Sequence, residues 1–231
     1  MADPIIRRMP PDLANKIAAG EVVQRPASVV RELLDNAIDS GADQIRVAIR
    51  SSGKSLIQVT DNGCGMGSDD LKLCLEPHAT SKLRAIEDLQ RIHTLGFRGE
   101  AMASMASIAQ IDVRSRLHDE PQGHRIEVHG GDEVFFGPAA GEPGTAVSVR
   151  NLFYNVPARR QFLKTDPTEF RYILRAFQEA AMARTDIAFE LHADGNDLLT
   201  LPPQPLADRI ASLFGEEYRA SLIPVEESAG L

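Results

Sequence analysis

Between Pro26 and Gly41 the apolar residues Val29, Val30, Leu33, Leu34, Ala37 and Ile38 recur at helical spacing. At roughly 100° per residue they cover about half the circumference of a helix. Pro26 suits the first turn, where its missing N–H would be unpaired in any case. Gly41 suits a left-handed cap at the other end. The opposite side carries Arg31, Glu32, Asp35, Asn36 and Asp39, and the four-residue spacing of Glu32 and Asn36 puts them on one face. Asn36 borders the apolar arc, which predicts partial burial, although asparagine is a poor helix-interior residue. Two explanations stay open at this point. One is a side-chain hydrogen bond to a neighbouring segment; the other is a ligand site, with a carboxylate base and a carboxamide metal ligand aimed the same way.

The same patterns order the rest of the chain. Residues 11–20 predict a short helix with Leu13, Ile17 and Ala18 on one side, ended by Gly20. Alternation of Ile45, Val47 and Ile49 predicts a half-buried strand over 44–50, returning through a turn at 51–54 into a second strand over 55–60. A glycine-rich loop, Asp61 to Gly67, leads to a short helix from Ser68, whose small acceptors and acids suit a helix start. Residues 77–84 break the pattern, 86–92 read as helix, and a second glycine-bracketed turn at 96–101 opens a helix over 102–109. Four antiparallel strands are expected over 110–117, 123–129, 133–136 and 145–152. Asp166, Pro167 and Glu169 mark a helix start with Asp166 as the cap, and Phe170, Ile173, Leu174, Phe177 and Ala181 form its buried face. A hairpin turns at Asp194-Gly195-Asn196, and 206–214 is a last amphipathic helix. Helices first and mostly strands afterwards argue for an α+β fold.

Composition narrows the class. A chain of 231 residues, 43% hydrophobic and 25% charged, can bury a sizeable core. No apolar run approaches the ~20 residues of a membrane span, and the N-terminus lacks a signal-peptide layout. Two cysteines, Cys64 and Cys74, make no disulfide framework, which points to a reducing, cytoplasmic setting. A net charge of −8 argues against strong non-specific nucleic-acid binding. The best local basic cluster is Arg159, Arg160 and Lys164, readable equally as a solvated face.

Several motifs fail on inspection. Gly53-Lys54-Ser55 lacks the earlier glycine of a Walker A loop and precedes a strand. Gly63, Gly65 and Gly67 miss dinucleotide spacing, and Cys64, Cys74 and His78 miss zinc spacing. Three loops survive. Asp61 stands at a strand end before glycines 63, 65 and 67, where backbone can approach a flat ligand and the carboxylate can accept from an exocyclic amine. Thr80-Ser81-Lys82 offers hydroxyls and a cation. Gly96-Phe97-Arg98-Gly99-Glu100-Ala101 presents N–H groups at a helix start, a standing phosphate site. Each alone also reads as an ordinary turn; together with Glu32 and Asn36 they supply the parts of a nucleotide site.

Glu32-x-x-x-Asn36, Asp61-x-Gly63-x-Gly65, Gly96-x-x-Gly99 and Gly144-Thr145 resemble, in order, the four ATP-site motifs of the GHKL (Bergerat-fold) ATPases. The strings Ile17–Val23, Arg25–Val30, Asp61–Met66, His78–Lys82, Leu95–Ala101 and Leu152–Arg159 resemble the MutL family of DNA mismatch repair proteins, from about residue 10 to the end. The resemblance implies a two-layer sandwich: a mixed, mostly antiparallel sheet with helices on one face. It also implies roles. Glu32 would be the general base, Asn36 the Mg2+ ligand and Asp61 the adenine acceptor, helped by Gly65 and Thr145. Asn62, Gly63 and Met66 would belong to the nucleotide loop, Thr80, Ser81 and Lys82 to a lid, and Leu95, Gly96, Phe97, Arg98, Gly99, Glu100 and Ala101 to the phosphate wrap. Asp35 stands where many relatives have Glu, and Val156 where Thr is frequent.

The expected cofactors are ATP and Mg2+. In a full-length protein the resemblance further implies an ATP-dependent homodimer, a MutS-like mismatch-recognition partner, weak DNA contact and a cytoplasmic, nucleoid-associated location. Residues 1–215 are expected to form the ATP-binding domain. Residues 216–231 read as a linker or the start of a second ATPase subdomain that is missing here. Slow or negligible turnover is the corresponding expectation for this length of chain.

Overall fold

Ile45, Val47 and Ile49 do alternate inward, each no more than 2% exposed, and the sheet grows outward from that strand. The computed structural model describes residue 9, residues 11–82, residue 95 and residues 99–223. Its strands are β1 (Gln44–Arg50), β2 (Leu56–Asp61), β3 (Gln110–Arg116), β4 (Gly123–His129), β5 (Asp132–Ala139), β6 (Gly144–Arg150), β7 (Ala188–Ala193) and β8 (Asn196–Leu201). They form one eight-stranded sheet in the order β5-β4-β3-β6-β2-β1-β7-β8. The β1–β7 pair is parallel and the other neighbours are antiparallel. The helices are α1 (Pro11–Val22), α2 (Pro26–Asp39), α3 (Ser68–Leu73), α4 (Ala101–Ile108), α5 (Pro157–Phe162), α6 (Asp166–Ala183), α7 (Leu206–Phe214) and α8 (Glu216–Ser221). This is the expected mixed, mostly antiparallel α+β architecture.

Register keeps one face of the sheet apolar. Leu191, Val47, Val59, Val147, Val113 and Ile126 lie opposite one another across six strands, and all are buried. α2 lies over this face with Val29, Val30, Leu33, Leu34, Ala37 and Ile38 inward, and α6 packs beside α2. α6 contributes Ile173, Phe177 and Ala181, each fully buried, with Phe177 edge-on to Phe189 at 5.8 Å between centroids. The other face is polar and pairs its own charges: Arg46 with Glu190 at 2.6 Å, and Arg125 with buried Asp112 at 2.5 Å. The two faces therefore differ as period-two alternation requires.

Some local expectations change. α1 runs through Gly20 to Val22, with Val23 N–H donating to the Ala19 carbonyl. Ile17, expected on the packed side, is 46% exposed; among the described residues Ala19, and Val23 just past the helix end, are buried there, where the helix rests on α4. Gly20 leaves room for the Arg159 guanidinium, which donates to the Ile17 carbonyl at 3.2 Å. That contact takes Arg159 out of a free basic cluster. α6 begins at Asp166 with Thr165, not Asp166, as its cap; Asp166 instead pairs with Lys54 at 2.6 Å, and Glu169 turns back to accept from Lys164 N–H at 2.8 Å. α5 and α8 are helices that the periodicity did not reveal. The helix expected over 86–92 and the side chains of Leu13 and Ala18 lie outside the described residues.

Phe177→Ala should lower the unfolding free energy by about 3–5 kcal/mol, because a large aromatic leaves a cavity in a closed layer. Leu206→Ala, at a position 52% exposed, should stay within about 0.5 kcal/mol. Urea unfolding of both variants checks the pair.

Candidate functional site

The polar side of α2 forms a floor at one end of the sheet. Glu32 and Asn36 are both half-buried there, one helical turn apart, and Asp35 and Asp39 share the polar side with them. Burial pushes the Asp35 carboxyl up; Arg31 pulls it back, Asp39 pushes it up again and Lys82 opposes. Lys82 Nζ donates to Asn36 Oδ1 at 2.9 Å and to Asp39 Oδ2 at 2.5 Å, and Leu95 N–H donates to Asp39 Oδ1 at 3.1 Å. The Thr80–Lys82 loop and Leu95, just before the third loop, therefore reach α2 through specific polar contacts. Asn36 takes a hydrogen bond from a neighbouring segment, and the group that supplies it is a cation.

The second wall is the end of the apolar face. Asp61, Thr145 and Ser115 lie opposite one another on β2, β6 and β3, in the inward row that also holds Ile45 on β1. Asp61 Oδ1 accepts from Gly63 N–H at 2.9 Å and from the Ser40 hydroxyl at 3.2 Å. Burial nevertheless dominates and raises the Asp61 pKa; the Gly63, Ser40 and Thr145 hydrogen bonds only partly offset it. Ser115 Oγ lies 2.8 Å from Thr145 Oγ1 and 2.9 Å from the Gly144 carbonyl, and accepts from Met66 N–H at 2.8 Å. The glycine loop is thus stitched to the strand ends. Gly65 sits at φ +72°, where a Cβ would overlap the Arg116 carbonyl, so this turn requires glycine.

The third loop closes the arrangement. Gly99 has φ +61°, and a Cβ there would come within 2.6 Å of the Ala79 carbonyl. His78 Nδ1 lies 3.4 Å from Glu100 Oε1, and Thr80 Oγ1 accepts from Lys82 N–H at 3.2 Å. The 78–82 loop thereby packs on the segment that leads into α4, of which Ala101 is the first residue. Ser81 is exposed, and Leu95 is 56% exposed.

Among the sequence-predicted residues, Glu32, Asn36, Asp61, Gly63, Gly65, Met66, Thr80, Lys82, Gly99, Glu100, Ala101 and Thr145 fall on these elements. Asn62 is turned to other work: its Oδ1 accepts from Asp43 and Gln44 N–H at 3.1 and 3.0 Å, locking the link between α2 and β1. Gly96, Phe97 and Arg98 lie outside the described residues. Sequence reasoning missed Ser40, Ser115 and the placement of Asp39. A signal existed for Ser115, the one polar residue in the inward series Ile111, Val113, Ser115.

The donor set fits a small hard cation. Asn36 offers a carboxamide oxygen flanked on α2 by carboxylates, and a positive group already rests on that oxygen.

Comparison with known proteins places this geometry. Residues 21–139, just over half of the chain, match the family described as "Histidine kinase-, DNA gyrase B-, and HSP90-like ATPase". Among curated proteins, the DNA mismatch repair protein MutL of Chloroherpeton thalassium is 46% identical over 223 residues, covering 96% of this chain and 35% of that protein. MutL of Flavobacterium psychrophilum is 47% identical over 227 residues, covering 98% and 37%. The chain thus spans about a third of the length of these relatives. Among solved structures, the Aquifex aeolicus MutL ATPase domain complexed with ADP superposes with a TM-score of 0.67 at 32% identity, covering 84% of this chain and 70% of that one. The N-terminal domain of a DNA repair protein superposes with a TM-score of 0.75 at 29% identity, covering 88% and 60%. This chain belongs to the histidine kinase-, DNA gyrase B- and HSP90-like (GHKL) ATPases, within the ATPase region of the MutL family.

Proposed function

We propose that the chain binds ATP with Mg2+ between α2 and the ends of β2, β3 and β6, and hydrolyses it slowly. The observation that carries this reading is the half-buried Asp61 carboxylate, held by Gly63 and Ser40 beside Thr145 at a strand end. A carboxylate kept there against its desolvation cost is suited to accept from an exocyclic amine such as adenine's. A relative overlapping most of the chain was solved with ADP, which supports nucleotide binding by this chain.

The remaining roles are those the family resemblance implies, and the position of Glu32 and Asn36 on the polar side of α2 supports them. Glu32 takes a proton from the water whose oxygen bonds to the γ-phosphorus. The bond from that phosphorus to the bridging oxygen breaks, leaving ADP and phosphate. Asn36 would hold Mg2+ through Oδ1; when bound, the metal would neutralise phosphate charge. Gly99 and the start of α4 bring backbone N–H groups toward the phosphate end. Catalysis of this kind is mainly positioning and charge stabilisation.

In the whole protein, the same region would act as a nucleotide-driven matchmaker between a MutS-like mismatch-recognition partner and downstream repair, in an ATP-dependent homodimer with weak DNA contact in the cytoplasm. A second reading, a nucleotide-gated dimerisation module with negligible turnover, is favoured by the attachment of the 78–82 loop to α2 through Lys82, since a ligand at Asn36 alters that attachment.

Nucleotide titrations separate these roles. Glu32→Ala should retain ATP binding and lose turnover; repair function that survives without turnover would favour the second reading. Asn36→Ala should lose the Mg2+-dependent part of the affinity. Equal affinities in the wild type and in these variants, with equal turnover, would sink the assignment.

Asp61 gives a pH signature. Its folded pKa lies above the unfolded value, so its stabilising contribution is full below the unfolded pKa and is lost as pH rises through the folded one. Asp61→Asn should therefore be no less stable than the wild type at neutral pH. It should bind nucleotide at least about tenfold more weakly, because the amide can turn a donor toward the adenine amine. Wild-type affinity should fall on acidification, beginning above the ordinary carboxylate range. Denaturant titrations and calorimetry at several pH values check both.

A further inference from the structure

Lys82 is 18% exposed and Asp39 9% exposed at the side chain, so their 2.5 Å ion pair is shielded far better than a surface salt bridge. The same ammonium lies 2.9 Å from Asn36 Oδ1. Asn36 and Asp39 are three residues apart on α2 and present their oxygens to one cation from one face. Asp39 also accepts Leu95 N–H through its other oxygen, so its carboxylate is fixed from both sides. Without Lys82, the half-buried floor of Glu32, Asp35 and Asp39 would hold its negative charge with less compensation; Arg31, the other cation felt by Asp35, donates to Glu179 on α6.

We infer that Lys82 is a built-in stand-in for the metal, so that Mg2+ binds at Asn36 by cation exchange: the Lys82 ammonium leaves the carboxamide oxygen as the divalent ion arrives. The inference rests on the proposed role of Asn36. An amide oxygen has two lone pairs, but an ammonium and a divalent ion on the same oxygen repel each other, so the ammonium gives way as the ion arrives. Lys82 is then a positioning residue that sets how much metal the empty site takes up. A nucleotide-free site filled by its own lysine rejects free divalent cations, and metal enters effectively only when the nucleotide phosphates add their charge. Coupling of this sort is reciprocal: the metal raises nucleotide affinity by the factor by which the nucleotide raises metal affinity.

The test is Mn2+ binding by the nucleotide-free chain, followed by electron paramagnetic resonance. The wild type should bind Mn2+ weakly. Lys82→Met, which keeps the aliphatic stem, should bind it at least about tenfold more tightly, and Lys82→Gln should shift the same way. Adding Asn36→Ala to Lys82→Met should remove the gain. A merely structural lysine would lower the urea midpoint without tightening Mn2+ binding. Unchanged or weaker Mn2+ binding in both Lys82 variants, with the fold intact by circular dichroism, overturns the exchange. If that happens while Asn36→Ala still abolishes Mg2+-dependent nucleotide affinity, the exchange alone fails. If Asn36→Ala has no effect on either metal readout, both the exchange and the metal role of Asn36 fail.

Discussion

The packing of α2 on β2 is the constraint on which the rest depends. Val29, Val30, Leu33 and Leu34 are buried to within 2% of complete, and α6 closes over the helix from the side. A helix fixed so firmly on one face has its opposite face fixed as well. Glu32, Asn36 and Asp39 therefore stand where the core puts them, and the polar contacts of Lys82 and Leu95 are made to a rigid partner. The same sheet register that buries Val47 against Val59 and Val147 sets Asp61 opposite Thr145 and Ser115. Core and site are two ends of one alignment, so a register slip in β2 would turn Asp61 to the open face as surely as it would expose Val59.

The site holds its charges in tension. Asp61 and Asp35 are pushed toward neutrality by burial, and each is restrained by specific partners: backbone N–H and a hydroxyl for Asp61, Arg31 and Lys82 for Asp35. Such carboxylates are poor investments for stability alone, and they make sense when a ligand brings the compensating donors. The polar face of the sheet shows the contrast. There Asp112 is buried too, but the Arg125 guanidinium satisfies it within the chain.

Much of this was legible in the sequence where periodicity and turn chemistry act locally. The expected strands over 44–50, from alternation, and 123–129 coincide with β1 and β4, and α7 likewise matches at 206–214. The left-handed Gly41, at φ +76°, closes α2 as its composition implied. The site's main residues were legible because their types are unusual for their places: an asparagine at the edge of an apolar arc, an acid at a strand end before three glycines. What escaped depends on tertiary contacts with no local signature. Arg209 lies in the amphipathic helix expected over 206–214, yet it is fully buried and donates to the carbonyls of Thr185, Ile187 and Pro202. Ser40 reads as part of a helix end, but its hydroxyl is within reach of Asp61 across the chain. Asn62 sits inside the glycine motif and spends its side chain on Asp43 and Gln44. The cap of α6 moved by one residue because Asp166 has a nearby cation in Lys54, a partner invisible from the local sequence.

On the proposed function, the polar face of α2 and the strand-end carboxylate together receive a metal-bound nucleotide. A crystal structure of the chain with Mg2+ and a non-hydrolysable ATP analogue would decide it. The adenine amine should lie on Asp61, Asn36 Oδ1 at about 2.0–2.1 Å from the metal, and the Lys82 ammonium should be gone from that oxygen. A nucleotide bound elsewhere, with Lys82 still on Asn36 and Asp61 untouched, would contradict it.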